Sequence, residues 1–116
     1  MSKRSDLDLI EDILICLSKV EKYIYGLSYD DFVNDHKTQD AIIRNLEIIG
    51  EASKQISSGL KKKYKDIPWK MIAGTRDRLI HGYFGVNIDI VWEIAAIDAP
   101  ALKQKIEKIK KENGCA

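Results

Sequence analysis

The residues best suited to chemistry lie in one short segment, Arg76-Asp77-Arg78-Leu79-Ile80-His81-Gly82-Tyr83. If the segment is helical, Asp77 and His81 lie one turn apart on the same face. The carboxylate can then bond an imidazole nitrogen, fix the tautomer and raise the pKa of the ring. A histidine moves protons near neutral pH, and an arginine binds a phosphate through two parallel hydrogen bonds. The segment therefore favours acid–base chemistry at a phosphate group.

The angular positions of these side chains bear on the oligomeric state. On a helix Arg76 points roughly 140° away from His81, and Tyr83 lies almost directly above Arg76. Two copies of the helix that meet across a two-fold axis would bring two arginines and two histidines around one cleft, so we expect a homodimer. Spacing alone leaves open that Arg76 and Asp77 form an ordinary charged helix start, that His81 is buried with its hydrogen bonds satisfied, and that Tyr83 is a core-edge aromatic.

Other reactive side chains give weaker signals. His36 follows Asp35 in a polar stretch, which predicts a surface position. Cys16 and Cys115 stand far apart with neither a C-x-x-C motif nor an accompanying histidine, so we expect no disulfide and no zinc site, and Cys16 should pack as a small hydrophobic residue. The Glu-x-x-His pairs of carboxylate-bridged metal centres are missing. We therefore predict no metal and no cofactor.

A polar stripe on an upstream helix offers supporting groups. Glu47 and Glu51, four residues apart, repel each other unless a cation lies between them. That cation is either Arg44 on the same helix or an arginine of the segment that begins at Arg76. Gly50 lies between the two carboxylates, at a cost of roughly 1 kcal/mol relative to Ala in a helix. It predicts a close approach of another element at this point.

Composition indicates one helical domain over residues 1–116. Apolar residues make up 45% and charged residues 32% of the 116 residues, with only 2 Pro and 7 Gly. A formal net charge of +1 excludes a polyanion binder that works through bulk charge, so a nucleic-acid contact requires a local basic patch. The chain shows neither an apolar signal core nor a long apolar run, so we expect a cytoplasmic protein without a membrane contact.

Apolar periodicity predicts the helices that position the segment. The first spans Leu7 to Leu27 behind Ser5 or Asp6 as N-cap and ends near Gly26. The second begins behind Thr38 and stops at Gly59. Its buried stripe comprises Ile42, Leu46, Ile49, Ser53 and Ile56.

Shorter elements fill the rest of the chain. Single turns are predicted near Phe32 and at Trp69 to Ala73. The basic run from Lys61 to Lys65 is typical of a solvated helix end, with a functional basic patch as the alternative. Gly74 and Thr75 can cap a helix from Arg76 to about Phe84 that stops at Gly85.

The last helix begins behind Asn87 or Asp89. Its apolar stripe changes phase at Pro100, so we expect a kink, or a break and a restart with Asp98 as the new cap. The stripe comprises Ile90, Ile94 and Ile97, then Leu102, Ile106 and Ile109. Together the elements form an antiparallel all-α bundle of four to five helices.

Four sequence features together resemble the HepT-like toxins of the HEPN superfamily, from Asp8 to about Leu102. They are the Arg-x4-His-x-Tyr pattern at Arg76, His81 and Tyr83, the run Arg44-Asn45-Leu46-Glu47-Ile48-Ile49-Gly50-Glu51-Ala52, Ile67-Pro68-Trp69, and Val91-Trp92. The resemblance implies an all-α HEPN bundle that acts as a metal-independent endoribonuclease in a type VII toxin–antitoxin pair, with transfer RNA among the candidate substrates. It also implies a homodimer and a cognate minimal nucleotidyltransferase as antitoxin.

The resemblance also implies roles for individual residues. Arg76 and His81 are the implied catalytic pair, with Asp77, Arg78 and Glu51 in support. The antitoxin is expected to add AMP to Tyr83. The chain departs from the family pattern at Asp77, where Asn is frequent, and an added negative charge beside the scissile phosphate is expected to lower activity.

The residues fit RNA cleavage on chemical grounds as well. RNA carries its own nucleophile, the 2′-OH, so the protein must supply a base, an acid and a cation for the developing charge. Two copies of His81 across a dimer would supply acid and base, and Arg76 the cation. The alternative is a non-catalytic HEPN module that binds a nucleotide or a nucleotidyltransferase partner, which needs Arg76 but no titrating histidine. A basic C-terminal tail, about residues 103–116, is expected to add affinity for RNA.

Overall fold

The structure, a computed structural model, describes residues 4–79 and 85–114, so His81, Tyr83 and Cys115 lie outside the described residues. The helices in these ranges confirm the all-α prediction, and none of them is both long and apolar enough to cross a membrane. They are α1 (Asp6–Ile24), α2 (Tyr29–Val33), α3 (His36–Gln55), α4 (Ser58–Lys63), α5 (Trp69–Ala73), α6 (Thr75–Leu79), α7 (Ile88–Glu93), a π-helical turn (Ile94–Asp98) and α8 (Ala99–Asn113).

Helix α1 begins and ends where the sequence predicts. The Ser5 hydroxyl accepts the backbone N–H of Asp8, and the Asp8 carboxylate accepts the N–H of Ser5, which closes a capping box. The helix ends just before Gly26, whose φ of 77° lies in the left-handed region that glycine adopts without strain. The N-cap and the glycine stop are thus both confirmed.

Polar contacts at the helix ends set an antiparallel packing of the long helices. Asp6, at the start of α1, accepts the backbone N–H and the hydroxyl of Ser57, just beyond the end of α3. Glu21, near the end of α1, accepts a hydrogen bond from Lys103, near the start of α8. Because each contact joins the beginning of one helix to the end of another, α1 runs antiparallel to both α3 and α8.

The core lies between α1, α3 and α8, and the short helices α2 and α5 add Phe32 and Trp69 to it. The turns predicted at these two residues are therefore confirmed. Burial raises the pKa of the Cys16 thiol, in line with the prediction that it packs as a hydrophobic residue. Fully or almost fully buried residues include Ile10, Ile13, Leu17, Val20, Ile42, Leu46, Ile49, Ser53, Ile106 and Ile109.

The predicted bounds of α3 are wrong at both ends. The helix begins one turn earlier than expected, because the Asp35 carboxylate accepts both the backbone N–H of Thr38 at 3.0 Å and its hydroxyl at 2.6 Å. These hydrogen bonds lower the pKa of Asp35. The helix ends at Gln55, since Ser57 then caps the separate helix α4, and Gly59 lies inside α4.

Of the two alternatives predicted at Pro100, a kink or a break, the break with a restart at Asp98 is wrong. Asn87 caps α7, as one of the two predicted options, but the helical path continues through the π-helical turn into α8. In that turn the Ala99 N–H bonds the carbonyl of Ile94, five residues back, and Pro100 follows in the first turn of α8. The extra residue produces the phase change without a break. It also leaves Ile97, predicted to be buried, 64% exposed.

Candidate active site

A close approach between α3 and α5 fixes the base of the site. A Cβ placed on Gly50 would lie 3.2 Å from the carbonyl oxygen of Ile72 and 3.7 Å from that of Ala73. This confirms the close contact that Gly50 predicts. The Ile72 carbonyl also accepts the Thr75 hydroxyl at 2.7 Å, so the contact extends to the first residue of α6. The orientation of α6 relative to α3 is therefore set at Gly50.

This arrangement brings Arg76 of α6 to Glu47 of α3. The Arg76 Nε atom lies 3.9 Å from the Glu47 Oε2 atom, and the arginine side chain remains 66% exposed. Of the two arginines that the sequence leaves open, the one on α6 is thus the cation beside Glu47. Glu51 is not brought to Arg76; it accepts a hydrogen bond from Lys54 at 3.3 Å instead.

The two residues that follow Arg76 differ in their surroundings. Asp77 is exposed, whereas Arg78 is half-buried and lines an apolar groove of about 360 Å³ beside α6. Met71 and Ile97 also line this groove and are 52% and 64% exposed. Periodicity did not reveal the groove, because the phase change at Pro100 predicts a kink or a break as readily as the π-helical turn that exposes Ile97.

His81 and Tyr83 lie outside the described residues, but the chain on either side of them is fixed. The backbone N–H of Asn87 donates to the carbonyl of Leu79 at 2.8 Å, and the Leu79 side chain is 1% exposed. Gly85 has a φ of 84°, in the left-handed region that glycine adopts without strain, and the helix end predicted near Phe84 lies outside the described residues. This hydrogen bond joins the end of α6 to the residue that caps α7.

An aromatic cluster that the sequence analysis missed fixes the start of α7. The Tyr29 hydroxyl of α2 donates to the Asp89 carboxylate, and this hydrogen bond raises the pKa of Tyr29. The Trp92 ring lies 5.8 Å from the Tyr29 ring and 5.4 Å from the Phe32 ring, centroid to centroid. No local pattern links residues sixty positions apart, so only the fold shows the contact.

Residues 4–79 and 85–114 contain no group of three or more His, Cys, Asp or Glu side chains arranged to hold a metal ion. The charged groups that the described part of the site does offer are Arg76, Arg78, Asp77 and Glu47. They suit the binding and orientation of an anion rather than the ligation of a cation.

Comparisons with known proteins give the family of the chain. The family described as "Ribonuclease HepT-like" matches residues 13–109. The chain belongs to the HepT-like ribonuclease family. The HepT-like chain is 46% identical over 109 residues to "Probable ribonuclease HepT" of Thermococcus cleftensis, covering 94% of this chain and 99% of the relative. It is 41% identical over 112 residues to "Putative RNase MJ0125" of Methanocaldococcus jannaschii, covering 97% of each. No solved structure matches.

Membership in this family confirms two predictions from the sequence, the resemblance to HepT-like proteins and the classification as a HEPN-type ribonuclease. The matched range includes α3, α5 and α6, and therefore Glu47, Gly50 and Arg76. The roles of individual residues, the antitoxin and the RNA substrate remain predictions.

Proposed function

We propose that this HepT-like chain is the toxin of a toxin–antitoxin pair, a metal-independent endoribonuclease that cuts RNA through attack by the 2′-OH. In this proposal Arg76 binds the scissile phosphate, and His81 from each of two subunits serves as base and acid. Arg78, Asp77 and Glu51 act in support. Transfer RNA is one substrate that fits such a site.

The state of the Arg76 side chain carries the proposal. Its guanidinium is largely exposed, and its ion pair with Glu47, at 3.9 Å, is too long for a good hydrogen bond. A surface pair of this kind contributes about 1 kcal/mol or less, so it commits little of the guanidinium to the carboxylate. The pair orients an arginine whose donors remain available to a substrate.

The apolar groove supports a homodimer. Met71 and Ile97 are large, exposed apolar side chains that line it, and Arg78 of α6 lies at the same groove. A second copy that covers this groove would bury apolar surface and bring its own α6 near the first. The proposal thus places the active cleft beside this contact, where the divergent Arg76 and His81 of two chains can converge.

The proposed partner is a minimal nucleotidyltransferase antitoxin that transfers AMP from ATP to Tyr83. The modified tyrosine would carry a phosphodiester that pairs with Arg76 or Arg78 and occupies the place of the RNA phosphate. The second candidate function is a non-catalytic module that binds a nucleotide. The availability of Arg76 is compatible with both, and only the requirement for His81 separates them.

Paired substitutions test the proposal. We expect His81→Ala to slow RNA cleavage by about 10²- to 10⁴-fold, as for the loss of a general acid or base. We expect Arg76→Ala to slow it by about 10²-fold or more, as for a lost charge-stabilising donor. Arg44→Ala, an exposed arginine on α3, serves as the control and should cleave normally.

The assay uses purified protein with EDTA present and identifies the product ends, which should carry a 2′,3′-cyclic phosphate or a 3′-phosphate. Circular dichroism must show an unchanged helical content in each variant. Cleavage at the full rate by folded His81→Ala would refute the role of His81 as acid and base, whereas wild type that cuts no RNA would favour the non-catalytic module.

A further inference from the structure

Three lysines gather around one shallow, open depression of about 620 Å³ on the surface beside α5. Lys61 lies on α4, Lys65 follows that helix, and Lys70 lies on α5. The remaining lining residues are Pro68, Trp69 and Met71. We call this feature the lysine depression. It collects three positive charges in a chain whose formal net charge is only +1.

The charges of the lysine depression are not neutralised by neighbouring carboxylates. Among the described residues, no ion pair involves Lys61, Lys65 or Lys70. The adjacent acid, Asp66, lies nearest to another lysine: its carboxylate is 3.9 Å from the Lys105 Nζ atom, which donates to the Asp66 backbone carbonyl at 2.9 Å.

The basic C-terminal residues differ in this respect. Lys103 pairs with Glu21 at 3.0 Å and Lys110 with Glu11 at 2.8 Å, so these side chains attach α8 to α1. Ile106 and Ile109 on the same helix are fully buried. Much of the charge that the sequence assigned to a tail is therefore used within the fold, although Lys108 and Lys111 of α8 enter none of the ion pairs found among the described residues.

The lysine depression adjoins the candidate active site. Pro68 and Met71 line both the lysine depression and the apolar groove, and Arg78 of α6 lines the groove. The lysine depression thus borders the groove that the second copy is proposed to cover. An RNA strand that leaves the cleft between two copies would pass over its three lysines.

The chemistry of the lining favours phosphates over a protein partner. Lysine is depleted in protein–protein interfaces but is a frequent phosphate contact in nucleic-acid complexes. Trp69 does not offer a stacking surface for a base, since its side chain is buried and its indole N–H donates to the Tyr64 carbonyl at 3.0 Å. The contacts available are therefore electrostatic and independent of base sequence.

We propose that the lysine depression binds backbone phosphates of the RNA substrate outside the cleavage site, through Lys61, Lys65 and Lys70. This inference rests on the proposed ribonuclease function and adds to it a surface that holds RNA but does no chemistry. Loss of the three charges should weaken RNA binding and raise KM, whereas kcat at saturating RNA stays unchanged.

The test compares wild type with two charge-matched triple variants. One is Lys61→Gln/Lys65→Gln/Lys70→Gln. The control, Lys19→Gln/Lys22→Gln/Lys37→Gln, removes three exposed lysines that line neither the groove nor the depression. Fluorescence anisotropy measures the affinity for a labelled 2′-O-methyl RNA 20-mer, which cannot be cut, at several salt concentrations. Cleavage of the unmodified 20-mer gives kcat and KM.

Salt dependence gives the expected size of the effect. Each phosphate contact contributes a slope of about 0.7 in log K against log salt for a single strand, so three contacts contribute about 2. Between about 50 and 200 mM salt, wild type and control should lose about 20-fold more affinity than the depression variant. Equal slopes for all three proteins, or a changed kcat with an unchanged KM, would overturn the inference.

Two further outcomes separate this inference from the proposed function. Wild type that binds the 20-mer with the expected slope but cuts no RNA would refute the ribonuclease proposal and retain the RNA contact. A depression variant that binds RNA normally but sediments as a smaller species than wild type would assign the lysines to a protein interface, and the inference would fail.

Discussion

Replacing Gly50 by alanine tests whether the close contact between α3 and α5 positions the active site. The new Cβ would meet the Ile72 carbonyl oxygen at 3.2 Å, which is closer than an ordinary van der Waals contact. That oxygen belongs to the backbone and also accepts the Thr75 hydroxyl, so it cannot rotate away. Helix α5 must shift, and the shift carries Arg76 away from Glu47.

Two opposing terms set the magnitude. Alanine in place of glycine stabilises a helix by about 1 kcal/mol. Overpacking at a close contact costs typically about 1–3 kcal/mol. We therefore expect Gly50→Ala to be neutral or to destabilise the fold by up to about 2 kcal/mol. Gly59→Ala in α4 is the matched control, because its Cβ would meet only the Ser57 hydroxyl oxygen at 3.9 Å, and it should stabilise the fold by up to about 1 kcal/mol.

Thermal unfolding followed by circular dichroism measures the difference. With roughly 4 °C per kcal/mol for a domain of this size, Gly50→Ala should melt about 4–12 °C below Gly59→Ala. RNA cleavage should fall by about tenfold in Gly50→Ala, because small displacements of a positioned group are costly, and should remain normal in Gly59→Ala. If both variants melt together above wild type and both retain full activity, α5 is not held against Gly50 and the positioning argument fails.

Two further predictions concern the groups around Arg76. Glu47→Gln should change the melting temperature by no more than about 2 °C from wild type, since an exposed ion pair contributes little to stability. It should nevertheless slow RNA cleavage by several-fold, because Arg76 loses its orienting carboxylate. A variant that cleaves RNA as fast as wild type would argue against that role. Tyr83→Phe should abolish the addition of AMP on co-expression with the antitoxin, as measured by intact-mass spectrometry. This variant should keep most of its RNA cleavage activity, whereas His81→Ala loses it. An adenylate that persists in Tyr83→Phe would place the modification elsewhere.

Local sequence signals predict most of the α1–α3 packing. The capping residue Ser5, the stop at Gly26 and the buried stripe from Ile42 to Ile56 all lie where periodicity and cap chemistry place them. Each of these features depends on residues within a few positions of one another. Such local signals can be recognised in the sequence without the three-dimensional structure. The predicted start of α3 is wrong because Asp35 and Thr38 are both good cap residues. Only the hydrogen bonds between them show that Asp35 is the cap.

The site was partly predictable for the same reason. Gly50 in mid-helix signals a close neighbour, but the sequence does not say that the neighbour is the carbonyl of Ile72. The choice between Arg44 and Arg76 as the cation beside Glu47 was likewise open until the packing of α6 was known. The lysine depression combines residues of α4, of the connection after it and of α5. Only distances in the structure show that none of its lysines forms an ion pair with a carboxylate of the described residues.

The π-helical turn absorbs one residue in the helical run from Ile88 to Asn113. Because this wide turn holds one residue more than an α-helical turn, the apolar faces before and after it stay in phase although their sequence positions are offset by one. Removal of one residue from Ile94–Asp98 would convert the turn into regular α-helix and leave α8 packed against α1. A deletion in the first two turns of α8 would instead rotate the rest of the helix by about 100° and direct Ile106 and Ile109 away from α1. Evolution should therefore accept the loss of a single codon in the π-helical turn far more readily than in the helix that follows.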